Sequence, residues 1–339
     1  MLLDPLQSRL AIHHALENRY AILAINADSH AAIGDCLEAA LQMNAPVIIE
    51  TSLWQLEGHS FGAGDPILGM SRYIVNLALL ANSERYKQIP VIYHTDHIKG
   101  HGTLQILEAA ILGTRLSLHG KEIVLSASTI SLDASELTHN QTIEHILHLC
   151  NFSQKNNVSL TLEMEDAVDE GITSPETAAK LLGSIEAAYP GHIYLWAPGV
   201  GTQHGFGEGM NFSPKTIEEQ IAFTKKITGR EIGIALHGST GLGTEDLSNA
   251  AKAGVVKVNW STESLYIRSN TAKKYYEVMA DQFDKKHKAW KATVMDNGVN
   301  KFVSETYIPK VKERMKILGA ENKATEIMML LNKSITPHS

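Results

Sequence analysis

Short apolar runs rich in β-branched residues recur along the chain, separated by longer stretches in which apolar residues fall three and four positions apart. A period of two that keeps giving way to a period near 3.6 is the pattern of repeated βα units. Eight runs qualify as strands: Ala21 to Asn26, Val47 to Ser52, Pro90 to His94, Thr129 to Asp133, Val158 to Glu163, Ile193 to Ala197, Ile232 to Leu236 and Val255 to Asn259. Ile123 to Leu125 competes with the fourth. Ile33 to Met43 and Thr103 to Leu112 have the spacing of helices with one buried face. Ser174-Pro175 and Ser213-Pro214 put a capping residue before a proline, a helix-start signal, because proline's missing N–H costs nothing in the first turn.

Eight strands alternating with helices, without a Pro/Gly/Ser-rich linker, predict an α/β fold. The expected form is a single (β/α)8 TIM barrel spanning 1–339, with about 265–339 as a helical C-terminal extension covering the barrel or a partner subunit. An open doubly wound sheet would carry a glycine fingerprint after its first strand. That turn here reads Asn26-Ala27-Asp28-Ser29-His30.

Apolar residues at 44% and charged residues at 20% suit a globular chain with a large core, not a disordered one. A formal charge of -7 argues against nucleic acid or an anionic membrane as partner, while a phosphorylated metabolite stays compatible. Cys36 and Cys150 lie in helical patterns and supply neither a disulfide framework nor a cysteine metal cage. With no basic n-region before an apolar run and no long apolar stretch, the expectation is a cytoplasmic protein. Sixteen histidines are the unusual count, and their placement decides what that count means.

Barrel active sites are built from residues at the C-terminal ends of strands. Asn26, Ser52, Asp96, His97, Glu165, His204, His237 and Asn259 all fall at or just beyond such ends. Three imidazoles hold a borderline-soft metal while leaving a position open for substrate, so His97, His204 and His237 are the expected zinc ligands. His94 reads as support for them, and His101, His119, His139, His145 and His148 as solvated. Glycines let backbone N–H groups approach an anion and small hydroxyls add donors, so Gly205, Gly238-Ser239-Thr240-Gly241 and Asn259-Trp260-Ser261-Thr262 are candidates for phosphate. Asn26 and Ser52 join them as candidate substrate contacts.

Ala24 to Asn26, Pro46 to Ser52, His94 to His97, Leu162 to Glu165, Gly201 to Gly205, Leu236 to Gly241 and Lys257 to Thr262 occur in the order of signature segments in class II fructose-bisphosphate and tagatose-bisphosphate aldolases. The chain resembles that family over roughly residues 15 to 265. The resemblance implies metal-dependent, reversible aldol cleavage of a ketose phosphate to a triose phosphate of the dihydroxyacetone phosphate type and an aldehyde. It makes Glu165 an alternative metal ligand and Asp96 the residue that moves the hydroxyl proton. It also implies a mobile acidic loop, here the shortened Asp166 to Gly171, in which Asp169 or Glu170 would act at the enediolate carbon. Zinc is the expected ion, with other divalent metals as alternatives and a monovalent cation as a further candidate. A homodimer or homotetramer is implied.

Two departures bear on substrate. Ser239 replaces the family's second glycine after His237, and Ser261 replaces the aspartate two residues after Asn259. The second predicts poor use of fructose 1,6-bisphosphate and preference for a ketose monophosphate or a differently substituted analogue. Trp260 either reshapes the same wall or points into the outer layer. The competing readings are a barrel metallohydrolase with Asp96 as base, which lacks its His-X-His pair here, and a non-catalytic metal- or sugar-phosphate-binding barrel.

Overall fold

A computed structural model describes residues 1–118, 120–166, 169, 171–206 and 211–335. Its strands are β1 (Ile22–Asn26), β2 (Val47–Thr51), β3 (Val91–Thr95), β4 (Thr114–Leu118), β5 (Lys121–Leu125), β6 (Thr129–Ser131), β7 (Leu162–Glu165), β8 (Ile193–Ala197), β9 (Gly233–Leu236) and β10 (Val255–Asn259). Eight of them close into a parallel barrel in the order β1-β10-β9-β8-β7-β6-β3-β2, with helices between successive strands, which is the (β/α)8 architecture. β4 and β5 form an antiparallel hairpin outside it, so Ile123 to Leu125 belong to this insertion and not to the fourth barrel strand.

Both faces of each barrel strand are covered, and β1, β2, β3 and β10 are buried along their whole length. The register aligns Asn26 with Glu50, Glu50 with His94 and His94 with Thr129, so polar side chains of adjacent strands reach the barrel at matched heights.

One strand differs from expectation. The fifth barrel strand runs Leu162–Glu165, not Val158 to Glu163. The residues before it are held by the N-terminal helix Pro5–Glu17: Arg9 donates to the Leu160 carbonyl at 2.6 Å and to Thr161 Oγ1 at 2.9 Å, while Thr161 donates to the Pro5 carbonyl at 2.7 Å. The third strand sits one residue later than expected and the fourth ends at Ser131, two residues short. The proline-led helices start as expected, with Ser174 accepting from Thr177 N and Ser213 from Lys215 N.

Beyond β10 the chain continues as helices Thr262–Val278, Trp290–Val294, Asp296–Ile317 and Lys323–Ile335. They pack on the barrel's outer layer through Tyr307, fully buried, whose ring stacks on Trp260 at 6.0 Å and whose hydroxyl meets Ser264 Oγ. Arg268 and Ser304 both donate to Asp35 of helix His30–Met43, each at 2.6 Å. No described helix is long and apolar enough to cross a membrane.

Candidate metal centre and active site

His97, His204 and His237 follow β3, β8 and β9 and converge at the C-terminal rim, with ring centroids 4.9, 5.5 and 5.7 Å apart. One nitrogen from each lies within 4.8 Å of the others. His97 sits at φ +49°, a left-handed conformation that costs a β-carbon residue about 1 kcal/mol. The tight turn is anchored by Asp96, whose N–H donates to the Thr51 carbonyl at 2.7 Å.

Each imidazole has one nitrogen tied to a carboxylate. His97 Nδ1 is 3.1 Å from Asp133 Oδ2, His204 Nδ1 is 3.1 Å from both Asp169 oxygens, and His237 Nε2 is 2.9 Å from Glu163 Oε1. Such carboxylate partners orient metal-binding histidines and raise their basicity. His237 Nδ1 and Glu165 Oε1 are buried without a hydrogen bond, an arrangement that is costly unless another partner completes it. The donor set and the orphaned atoms together fit a divalent metal. Glu165 Oε1 lies 3.6 Å from His237 Nε2, beside the cluster.

Electrostatics are uneven across the centre. Burial works against a charged His97, but Asp96 and Asp133 outweigh it and raise the ring to about 10. Burial, reinforced by the Lys257 ammonium, drives His237 well below the ordinary imidazole value. Burial pushes the Glu165 carboxyl up to about 8. Burial opposes ionisation of Asp96 too, yet His97 and Lys257 hold it down to about 2. Asp96 also accepts from Asn26 Nδ2 at 3.3 Å and from Asn259 Nδ2 at 3.1 Å, so amides at the ends of β1 and β10 fix both its oxygens.

A cavity of about 920 Å³ opens above the cluster, and Asn26, Ser52, Asp169, Ser261 and Thr262 line it with the three histidines and Glu165. The other phosphate candidates are placed differently. Gly238 has φ +62°, and a β-carbon there would stand 2.6 Å from the Gln203 carbonyl oxygen, so chain packing alone demands glycine. Ser239 is buried and donates its hydroxyl to the Asn259 carbonyl, and Thr240 is buried beside it. Gly205, at φ +82°, faces open space. Trp260 does not shape the wall: its indole is buried on Tyr307 and donates to Glu263 at 2.7 Å. Glu170 lies outside the described residues, as does His119.

Sequence reasoning missed Asp133 and Glu163. Asp133 ends the fourth apolar run and was readable as a rim residue. Glu163 points into the barrel, with Lys257 as its partner at 3.0 Å, and was readable only once alternation was tied to a register. His94 is buried, with Nδ1 2.8 Å from Thr129 Oγ1 and Nε2 3.7 Å from Glu163 Oε2, and it supports the cluster from below. His139 and His148 have exposed side chains, as expected, and meet Asp166 at 3.1 Å and Glu108 at 2.6 Å. Part of His145 is buried.

The family described as fructose-bisphosphate aldolase class-II matches residues 7–323. The fructose-bisphosphate aldolase of Ureaplasma parvum is 26% identical over 315 residues, covering 89% of this chain and 97% of that protein. That of Streptococcus pneumoniae is 25% identical over 320 residues, covering 92% and 97%. Among solved structures, the fructose-bisphosphate aldolase of Campylobacter jejuni superposes with a TM-score of 0.78 at 22% identity, covering 95% of this chain and 96% of that one. The YdjI aldolase of Escherichia coli K12 does so at 0.68 and 17%, covering 96% and 100%. The barrel, the histidine cluster at its rim and a match over nearly the whole chain agree: this protein belongs to the class II fructose-bisphosphate aldolase family.

Proposed function

We propose that the protein is a metal-dependent aldolase that reversibly cleaves a ketose phosphate to a triose phosphate of the dihydroxyacetone phosphate type and an aldehyde. The observation that carries this reading is the convergence of His97, His204 and His237, each with its second nitrogen held by a carboxylate. A divalent ion held by these three, zinc by the donor set, would supply the Lewis acid that stabilises the enediolate's negative charge. Glu165 stands beside them as an alternative ligand.

Asp96, ionised and aligned by Asn26 and Asn259, takes the hydroxyl proton in cleavage and returns it to the aldehyde oxygen in condensation. Proton movement at the enediolate carbon falls to the acidic loop, through Asp169 or Glu170. Ser261 and Thr262, at the start of helix Thr262–Val278, offer hydroxyls and backbone N–H groups to the phosphate, with Ser52 and Gly205 on the same rim. No Schiff base is needed. Lys257, the lysine inside the barrel, is fully buried between Glu163 and Glu50 and is held as an ammonium by them.

The same reading takes 1–339 as one barrel with its helical extension, working in the cytoplasm as a homo-oligomer. Its test is to incubate zinc-loaded protein with ketose phosphates and follow triose release. A chelator should abolish activity, and borohydride with substrate should leave it intact. Substrate-dependent inactivation by borohydride would sink the proposal, because it reports an imine.

A further inference from the structure

The geometry points to an uncharged aldehyde half for the substrate of this site, resting on an apolar wall made by Leu53 and Trp54. This rests on the aldolase reading above.

The cavity has two unlike sides. After β10, Ser261 and Thr262 present hydroxyls at a helix start, which suits one phosphate. After β2, helix Leu53–Glu57 contributes Leu53, Trp54 and Glu57. Trp54 is 69% exposed, an unusual place for an indole unless something covers it.

The charges lining the cavity exclude a second anion. Four carboxylates line it, from Glu57, Asp133, Asp166 and Asp169, beside the Glu165 carboxyl that burial pushes up, against one lysine, the three histidines of the cluster and no arginine among the described residues. That lysine, Lys99, is committed: Nζ donates to Ser135 Oγ at 3.1 Å and lies 3.6 Å from Asp133 and 3.5 Å from Glu136. The residues outside the described set include no lysine or arginine to make up the deficit. A phosphate on the far end of the substrate would lose hydration without gaining a cationic partner and would face Glu57. An uncharged aldehyde incurs neither cost and covers Trp54. In condensation the enediolate carbon bonds to the aldehyde carbon, the carbonyl electron pair moves to its oxygen, and Asp96 supplies the proton. No charge on the rest of the aldehyde takes part.

The test uses the zinc-loaded full chain in two arms. The first follows exchange of the hydroxymethyl hydrogen of dihydroxyacetone phosphate with solvent deuterium and needs no aldehyde. The second measures condensation of dihydroxyacetone phosphate with glyceraldehyde 3-phosphate, glyceraldehyde and isobutyraldehyde. Exchange should occur, and kcat/KM for an uncharged aldehyde should exceed that for glyceraldehyde 3-phosphate by about tenfold or more, a range that a lost polar partner readily produces. Trp54→Lys should narrow that ratio at least several-fold. Exchange with glyceraldehyde 3-phosphate preferred overturns the inference and leaves the aldolase reading standing. Exchange with neither uncharged aldehyde accepted overturns it as well, as does a ratio unmoved by Trp54→Lys. Absence of exchange overturns both readings.

Discussion

Glu163 and Lys257 meet inside the barrel at 3.0 Å, both fully buried, and the Glu163 oxygen that makes this contact also meets His237 Nε2 at 2.9 Å. A structural ion pair and a candidate metal ligand therefore share one atom. Removing the cation would leave Glu163 and Glu50 as uncompensated buried carboxylates. Lys257→Met should destabilise the fold by about 3–5 kcal/mol, the usual cost of breaking a buried pair on one side. Urea denaturation measures it. A loss below about 1 kcal/mol would show that the pair adds little.

Asp96→Asn keeps the shape beside His97 but removes the proton carrier. Metal content should stay close to wild type while turnover falls by about 10²–10⁴-fold. The amide offers one oxygen to two donors, Asn26 and Asn259, so one of those contacts must also rearrange. Elemental analysis and steady-state kinetics together check this, and an unchanged rate would make Asp96 a purely structural residue.

Asp133 Oδ2 touches His97 Nδ1 and also lies 3.6 Å from Lys99 Nζ, while Oδ1 accepts from the Ser135 N–H. Asp133→Ala should weaken zinc binding by about 10–100-fold, the usual effect of losing such a partner, with much of the turnover restored at saturating zinc. Competition with a chromogenic chelator reads the affinity. Equal affinities would mean that His97 needs no orienting group.

His14 links the first and last helices, with Nδ1 2.9 Å from Tyr20 Oη and Nε2 3.2 Å from Glu326. Burial lowers its pKa below the ordinary 6.5, although Glu326 pulls the other way. The folded state therefore binds fewer protons here than the unfolded chain. Its contribution is complete above about 6.5 and is lost as pH falls through the folded value. Between about pH 7 and pH 5 the Tm of wild type should fall more steeply than that of His14→Gln. Parallel curves would contradict the assignment.

The barrel was legible because its strands are buried on both faces and so read as continuous apolar runs, whereas the hairpin β4–β5 pairs only with itself. The three histidines were legible because each follows a strand of its own. What escaped depended on distant partners. Leu160 and Thr161 look like strand but are occupied by Arg9 and Pro5. Trp260 reads equally as cavity wall or outer layer, and Tyr307, far along the chain, decides for the outer layer. Asp133 and Glu163 gain meaning only from His97 and His237, which closure of the barrel brings to them.

Asp169 was expected to share with Glu170 the role of base at the enediolate carbon, and the structure gives its carboxylate a second task. Its Oδ1 accepts from the His204 backbone N–H at 2.9 Å, and both oxygens lie 3.1 Å from His204 Nδ1. Although burial opposes ionisation, these contacts leave its pKa below the ordinary carboxylate value. A carboxylate so placed is a good orienting group, much as Asp133 is for His97. The two tasks separate experimentally. If Asp169 acts through His204, Asp169→Asn should weaken zinc binding by about 10–100-fold. Hydrogen exchange of dihydroxyacetone phosphate should then recover at saturating zinc. Glu170→Gln should do the opposite, leaving zinc affinity unchanged and slowing exchange by about 10²-fold or more, as loss of a positioned base does. If Asp169→Asn instead abolishes exchange at full zinc occupancy while Glu170→Gln is silent, Asp169 is the base and its bond to His204 must open during turnover.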